Sequence, residues 1–391
     1  MAKKLFLLDA FALVFRAYYA LIRNPRLTSK GKNTNAQFGF TNALVDLIKN
    51  QKATHMAVCF DTHAPTERHT DFADYKANRQ ETPEDILLAV PDIKNIIRGF
   101  NIPVMELDGY EADDVIGTLS IQAAKSGYEV YMVTPDKDYG QLVTDKIKIY
   151  KPGYQGGDAE ILGPEEVCAK WNIKEVSQVI DILGLMGDAV DNIPGIPGVG
   201  EKTAAKLLAE YDTLENVLKN ADKIKGAMGE KVQKGKDLAV LSKKLATIIT
   251  NVPVHFHEED FRLKDWDTDK LKEAFADLEF KTLGKRLLGD DFNPGTGSKS
   301  VVEKQIPQGV QTDLFGNIIE AAPVEAAEKV TTGEEGGLIA DKNIQNTPHN
   351  YEAIDTEAGI KKLVTLLKKQ EEICFDTETT GIDANDAELV G

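Results

Sequence analysis

Cysteine is scarce in this sequence: Cys59, Cys168 and Cys374 are the three in 391 residues. Their number is odd, their spacing is wide, and no pair has the C-x-x-C form. Neither a disulfide framework nor a zinc–thiolate site is supported, and a reducing cytoplasm fits. The six histidines are equally dispersed, and His255 with His257 reads as a strand edge rather than a ligand pair. Also missing is any apolar run near the ~18 residues that a membrane helix needs. The opening MAKKLFLLDAFALVF imitates an export signal, but Asp9 interrupts the apolar stretch, Arg16 follows closely, and no small-residue cleavage site appears. These features read as a mature cytoplasmic protein with no membrane partner.

Positive charge is also in short supply. Lys and Arg number 46 against 63 Asp and Glu, a net charge of −17, which at first argues against a nucleic-acid partner. Its distribution weakens that objection. Residues 1–290 carry 38 basic against 44 acidic side chains, whereas 291–391 carry 8 against 19. The first fifty residues hold 8 basic and 2 acidic side chains. If carboxylates of the first domain surround metal, the surface left over is weakly basic.

What is abundant is aspartate at the ends of apolar runs. LFLLD ends on Asp9, MAVCFD on Asp61, and VYMVTPDKD on Asp136 and Asp138. Runs of this length and β-rich composition read as buried parallel strands. Ligands of open α/β sheets bind outside the carboxyl ends of the strands, so these aspartates gather on one edge. Mutually repelling carboxylates are tolerated there if hard divalent cations hold them.

Residues 1–175 alternate such runs with helical patterns, the signature of an α/β domain with a mostly parallel sheet. Helices are expected near 11–22, 36–50, 91–99 and 111–126, with strands at 55–60, 102–106 and 128–134. The stretch 62–90 is charged and lacks apolar periodicity; following Asp61 directly, it reads as a mobile cover carrying Arg68, Tyr75, Lys76 and Arg79 over the site. Residues 176–290 read as a helical subdomain. Residues 291–350 are small, polar and acidic, as in a flexible linker. Residues 351–391 offer one helix and one strand, too little for a core of their own, and read as the start of a further domain cut short.

Further carboxylates join the strand-ending ones. GYEADDVIGTL places Glu111, Asp113 and Asp114 at the mouth of a helix, where the helix dipole alone would favour them. GLMGDAVDNIPG adds Asp188 and Asp191, which share a face if helical. Nine carboxylates in five such places exceed what capping explains. Two metals about 4 Å apart would clamp the attacking and leaving oxygens of a phosphodiester displacement. Next, NIPGIPGVGEKTAAKLLAEY sets Gly195, Gly198 and Gly200 before a helix carrying Lys202 and Thr203. A nucleotide P-loop would place Lys directly after the last glycine and follow a strand. Here Glu201 intervenes and the preceding segment is helical, so a helical hairpin gripping a DNA backbone fits better.

These blocks together resemble the 5′-nuclease (flap endonuclease-like) domain family that begins bacterial DNA polymerase I. LFLLDAFALVFRAYYAL, VCFDTHAPTERHTDFADYKANRQETPEDI, DGYEADDVIGTL, VTPDKDYGQLV and GLMGDAVDNIPGIPGVGEKTAAKLL occur in the family's order, covering about residues 1–290. The resemblance implies a PIN-like α/β fold followed by a helical DNA-binding subdomain with a helix-hairpin-helix. It implies one metal surrounded by Asp9, Asp61, Glu111, Asp113 and Asp114, and a second by Asp136, Asp138, Asp188 and Asp191. Lys76 and Arg79 would act in catalysis from the family's helical arch; Arg16, Arg68 and Tyr75 would meet DNA. The hairpin Gly195, Gly198, Gly200, Lys202 and Thr203 would bind duplex and hold K⁺. The implied enzyme is a Mg²⁺-dependent, Mn²⁺-tolerant 5′→3′ exonuclease and flap endonuclease of replication and repair. Its partners would be DNA with 5′ flaps, nicks or RNA primers, and it would be a nucleoid-associated monomer. The rivals are a catalytically silent DNA-tethering module and a metal-dependent ribonuclease or phosphatase.

FDTETTG, with Asp376 and Glu378, resembles the first motif of a DEDD-type 3′→5′ exonuclease, without the later acidic motifs. Neither proofreading nor synthesis is therefore expected of this chain. QTDLF, with Gln311, Leu314 and Phe315, resembles the short motif by which bacterial proteins bind the sliding clamp.

Overall fold

The computed structural model describes residues 3–79, 81–153, 158–290, 292–293, 311–312, 318–319 and 356–369. The chain divides into two compact units after Val302. Asp376, Glu378, Leu314 and Phe315 lie outside the described residues.

The first unit is built on one sheet. Its strands are β1 (Lys4–Asp9), β2 (His55–Cys59), β3 (Val104–Met105), β4 (Glu129–Val133), β5 (Ile147–Lys151) and β6 (Glu160–Leu162). They lie in the order β3-β2-β1-β4-β5-β6, parallel except for the antiparallel β5–β6 pair. Strand β1 shows why both faces are covered. Leu5 and Leu7 belong to one core with Val130, Met132 and helix α5 (Ala112–Lys125). Phe6 and Leu8 belong to the other, with Met56, Val58 and the helices α1 (Ala10–Ala20), α2 (Asn35–Asn50) and α4 (Glu84–Gly99). All four side chains are 1% exposed or less, and burying each contributes roughly 1.5–3 kcal/mol. A strand apolar on both faces has one place to sit, the middle of a covered sheet.

Between β2 and α4 lies the short helix α3 (Glu67–Asp71). Two expectations are corrected here. Helix α4 begins at Glu84 rather than near 91 and runs through Pro91. Ile86, Ala89, Ile93, Ile96 and Ile97 form its buried face, so the helical period was present but interrupted by a proline. The charged stretch after Asp61 is anchored rather than free-standing: Arg68 and Tyr75 are buried at 5% and 4% exposure.

After β6 come α6 (Pro164–Trp171), α7 (Val179–Met186), α8 (Glu201–Tyr211), α9 (Leu214–Lys219), α10 (Ala227–Lys234) and α11 (Lys236–Ala246). The chain then returns to the sheet. Residues around His255 and His257 form no strand, contrary to expectation; Val254 and Phe256 accept or donate backbone bonds to the Gln122 side chain of α5 instead. Helices α12 (Glu258–Phe261), α13 (Thr268–Asp277) and α14 (Lys281–Leu288) close the unit. In the second unit, Gln311–Thr312 pairs antiparallel with Ile318–Ile319 inside the stretch read as linker, and Glu357–Leu367 is helical. No helix among the described residues is long and apolar enough to cross a membrane.

Candidate active site

Parallel register carries the strand-ending carboxylates to one edge. Asp9 is level with Cys59 of β2, and Leu8 with Val133 of β4. Asp61 and Asp136 therefore leave the sheet beside Asp9. A pocket of about 210 Å³ opens there, lined by Asp9, Asp61, Glu111, Asp113, Asp136, Asp138 and Asp191 together with Lys76 and Arg79. Size does not select this site: a groove of about 800 Å³ elsewhere holds Arg16, Lys49 and Arg286 with a single carboxylate, Asp46.

Local backbone needs orient several of the acids. Asp9 caps α1, accepting from the Ala12 N–H at 3.2 Å, and its other oxygen accepts from the Thr134 hydroxyl at 3.1 Å. Asp61 accepts at 2.9 Å from the Ala112 N–H in the first turn of α5. Asp136 accepts from the Asp138 N–H at 2.9 Å, which turns both carboxylates around Lys137. Burial, with Asp61 and Asp136 nearby, pushes the Asp9 carboxyl up to about 7. Burial likewise raises Asp113 and Asp138, each also facing neighbouring carboxylates.

The nine acids divide into two kinds. Four lean on protein cations. Lys76 Nζ is 2.7 Å from Glu111, and Arg79 pairs with Asp191. Lys137 Nζ is 2.8 Å from Asp188, and Arg68 grips Asp114 with two bonds of 2.8 Å. Burial alone would lower the Lys76 ammonium, but Glu111 and Asp191 hold it above its ordinary value. Asp9, Asp61, Asp113, Asp136 and Asp138 have no cation within ion-pair distance among the described residues. Oδ1 of Asp113 and Oδ1 of Asp138 are out of solvent and accept no hydrogen bond among the described residues. Such orphaned oxygens are costly unless a further partner exists.

No three His, Cys, Asp or Glu side chains among the described residues are placed to hold one ion as they stand. The donor set nonetheless suits hard divalent cations, which take carboxylate oxygens and keep several waters. Asp9, Asp61 and Asp113 on one side, and Asp136 and Asp138 on the other, are the acids open to such ions.

Several sequence-assigned residues lie elsewhere. Asp114 is fully buried, held by Arg68 and by the N–H groups of Glu111 and Ile249 at 3.1 and 2.7 Å. The structure thus pairs Arg68, expected at a phosphate, with Asp114, expected at a metal. Arg16 donates to the carbonyls of Pro152, at 2.7 Å, and Gly153, in a separate groove. Tyr75 stays with the site: although buried, it lines the acidic pocket and donates to Glu111 at 3.2 Å. Asp188 and Asp191 share a tight turn rather than a helix face, because α7 stops at Met186 and Asp188 bridges Ile193. Lys137, between the two aspartates of DKD, was overlooked; a lysine flanked by would-be ligands was its one sequence signal.

The hairpin between α7 and α8 uses its glycines unequally. A Cβ on Gly195 would lie 2.3 Å from the Gly187 backbone nitrogen, and both residues have positive φ, 59° and 74°. Only glycine fits two chains so close. The buried Gly195 N–H donates to Ser242 Oγ at 2.8 Å, so it is not turned toward a ligand. Gly198, Gly200 and Lys202 are exposed and Thr203 is half-buried at the start of α8. Lys231 of α10 brings its Nζ to 2.5 Å from a Cβ built at Gly198.

A parallel sheet with acids on its carboxyl edge, continued by a small helical domain, is the resolvase-like α/β architecture joined to a SAM-like fold. Residues 4–172 match the 5′-3′ exonuclease N-terminal resolvase-like domain, and residues 174–269 the 5′-3′ exonuclease C-terminal SAM fold. The chain belongs to the 5′-3′ exonuclease family in the form carried by bacterial DNA polymerase I. It is 39% identical over 332 residues to DNA polymerase I of Bacillus subtilis, covering 84% of this chain and 37% of that protein. With DNA polymerase I of Synechocystis it shares 34% over 420 residues, 99% of this chain and 41% of that protein. The chain thus spans about two fifths of these relatives' length. Among solved structures, a T5 5′-exonuclease with bound zinc aligns with a TM-score of 0.55 at 20% identity, over 63% of this chain and 90% of that one. A bacteriophage T5 flap endonuclease complexed with DNA and metal ions aligns at 0.54 and 20% identity, over 63% and 90%. These two likenesses concern the fold.

Proposed function

We propose that this chain is a divalent-metal-dependent, structure-selective 5′→3′ nuclease acting on DNA with 5′ flaps or nicks and on RNA primers. One observation carries the reading: seven carboxylates line one small pocket, and two buried oxygens at its walls, on Asp113 and Asp138, have no partner among the described residues. A protein that merely tethers DNA gains nothing from anions facing a polyanion, so the silent-module alternative is disfavoured. A ribonuclease or phosphatase on the same sheet has no use for the hairpin.

Mg²⁺, or Mn²⁺ in its place, would supply a water of lowered pKa and offset charge on the scissile phosphate. Asp9, Asp61 and Asp113 would hold one ion and Asp136 and Asp138 the other, with Glu111, Asp188 and Asp191 reached through water or after their cations let go. Lys76 and Arg79 stand at the pocket wall and would exchange Glu111 and Asp191 for phosphate oxygens. Gly198, Gly200, Lys202 and Thr203 would follow the duplex backbone, with K⁺ as a further counterion. Specificity would lie in backbone contacts and frayed ends, since nothing in the sequence has the form of a base-reading motif. The working division is 1–175 nuclease, 176–290 duplex-binding subdomain, 291–350 linker and 351–391 the opening of an exonuclease-like domain. Gln311 with Leu314 and Phe315 would tether a sliding clamp.

The test is cleavage of a 5′-labelled flap with Mg²⁺, with Mn²⁺ and with EDTA. Divalent-dependent release of short 5′ products is expected, and equal rates with metal and chelator would overturn the reading.

A further inference from the structure

Lys137 is the cation that the second carboxylate group carries within its own turn, whereas Arg79 reaches Asp191 of that group from another segment. Its neighbours in sequence, Asp136 and Asp138, carry no ion pair among the described residues, whereas its Nζ reaches across to Asp188 at 2.8 Å. Asp188 is 5% exposed and keeps a second bond, from the Val190 N–H at 2.7 Å. The turn around Lys137 is fixed by the Asp138 N–H bond to Asp136. The Lys137 ammonium also lies 5.8 Å from the centre of the Trp171 ring, so its stem has a surface along which to withdraw. Oδ1 of Asp138, at the same turn, is shielded and unpartnered. The ammonium therefore serves the acid farthest from the pocket and leaves the nearer ones open.

We propose that Lys137 is a positioning residue, a built-in counter-cation that competes with the second divalent ion and sets how tightly it binds. The proposal rests on the metal-dependent reading above. With Lys137 on Asp188, this carboxylate group carries a positive charge beyond that of Arg79 on Asp191 before any ion arrives, and an incoming cation meets a weaker field. When an ion enters, the ammonium gives up Asp188 and lies back along Trp171. Weak, exchangeable binding suits an ion that must leave with each product, whereas permanent binding would slow release.

The distinguishing variant is Lys137→Met, which keeps an unbranched stem of similar length near Trp171 and removes the charge. Mn²⁺ binding to the full chain is measured by calorimetry and by electron paramagnetic resonance, beside Lys137→Arg and the wild type. The Met variant should bind the weaker ion on the order of tenfold more tightly, as removal of one nearby like charge requires, and Lys137→Arg should stay near wild type. Its metal-free form should melt lower, since Asp188 is left buried without its partner. A purely structural lysine gives the opposite sign, with metal affinity falling together with the melting temperature. Unchanged or weakened Mn²⁺ affinity in Lys137→Met overturns the proposal. A wild type that binds no Mn²⁺ overturns the metal reading itself, so the two failures are separable.

Discussion

The two edges of the central sheet treat charge in opposite ways. At the amino-terminal edge, Lys3 pairs with Glu258 at 2.8 Å, Arg262 pairs with Glu258 and Glu259, and His55 lies 3.9 Å from Glu258 while Tyr128 meets its ring. Here the segment that returns from the helical subdomain seals the sheet, and the charged groups around His55 have partners. At the carboxyl edge, five acids have no ion-pair partner among the described residues, and two of their oxygens bond to nothing there. The same strands supply both edges. One edge is organised for stability; the other holds unrelieved repulsion, which persists only because the surrounding fold enforces it.

The largest expected effect is at the carboxyl edge. Asp136→Asn keeps an oxygen to accept from the Asp138 N–H but removes a charge. Flap cleavage should fall by at least about a hundredfold, as loss of an electrostatic group at a reacting phosphate requires, while flap binding in a gel-shift assay survives. Unchanged turnover would remove Asp136 from the site. Next is the pair that separates site from core. Arg68→Ala leaves Asp114 buried and unpaired, at a cost of about 3–5 kcal/mol. Urea denaturation should show a lower midpoint with an unchanged slope, and a loss under about 1 kcal/mol would show that the pair is solvated rather than enclosed.

The two edges should also answer pH with opposite signs. Asp9, raised to about 7, takes up a proton in the folded metal-free protein that the unfolded chain, near the ordinary 3.8, does not bind. Metal-free stability should therefore rise as pH falls from 8 to 6, by about 1 kcal/mol. His55 is lowered, first by burial and then by Arg262, with Glu258, Glu259 and Lys3 also acting on it. Its contribution is present above pH 6.5 and is lost as pH falls from there through its lowered folded value. Melting curves of Asp9→Asn and His55→Gln would separate the limbs: the first should flatten the alkaline side and the second the acid side. The smallest effect is Lys3→Ala. An ion pair as open as Lys3–Glu258 contributes little to stability, and a melting shift above a few degrees would mean that this edge is tighter than its exposure indicates.

Much of the fold was legible in the sequence because its signals are local. Strand β1 announces itself by a run too apolar for a half-exposed position, and α5 by the acids at its mouth. The position of Asp9, Asp61 and Asp136 on one edge followed from chain direction in a parallel sheet. What escaped had competing local signals. Pro91 disguised α4, whose isoleucines keep their helical period through it. The polar stretch after Asp61 gave no sign that Arg68 and Tyr75 are interior, because burial of a charge depends on a partner, Asp114, supplied from 46 residues away. Gly195 looked like Gly198, although one faces another backbone and the other, itself exposed, faces the Lys231 side chain.

Residue type and spacing by themselves determined the class of this protein: strands that end on carboxylates, a glycine hairpin, and the family to which both belong. They did so because strand direction and helix-mouth chemistry depend on neighbours a few residues apart. Which acids stay open was decided only in three dimensions. Lys76, Arg79, Lys137 and Arg68 each neutralise a chosen carboxylate, and ion pairing depends on distances of a few ångströms between segments that sequence order leaves far apart.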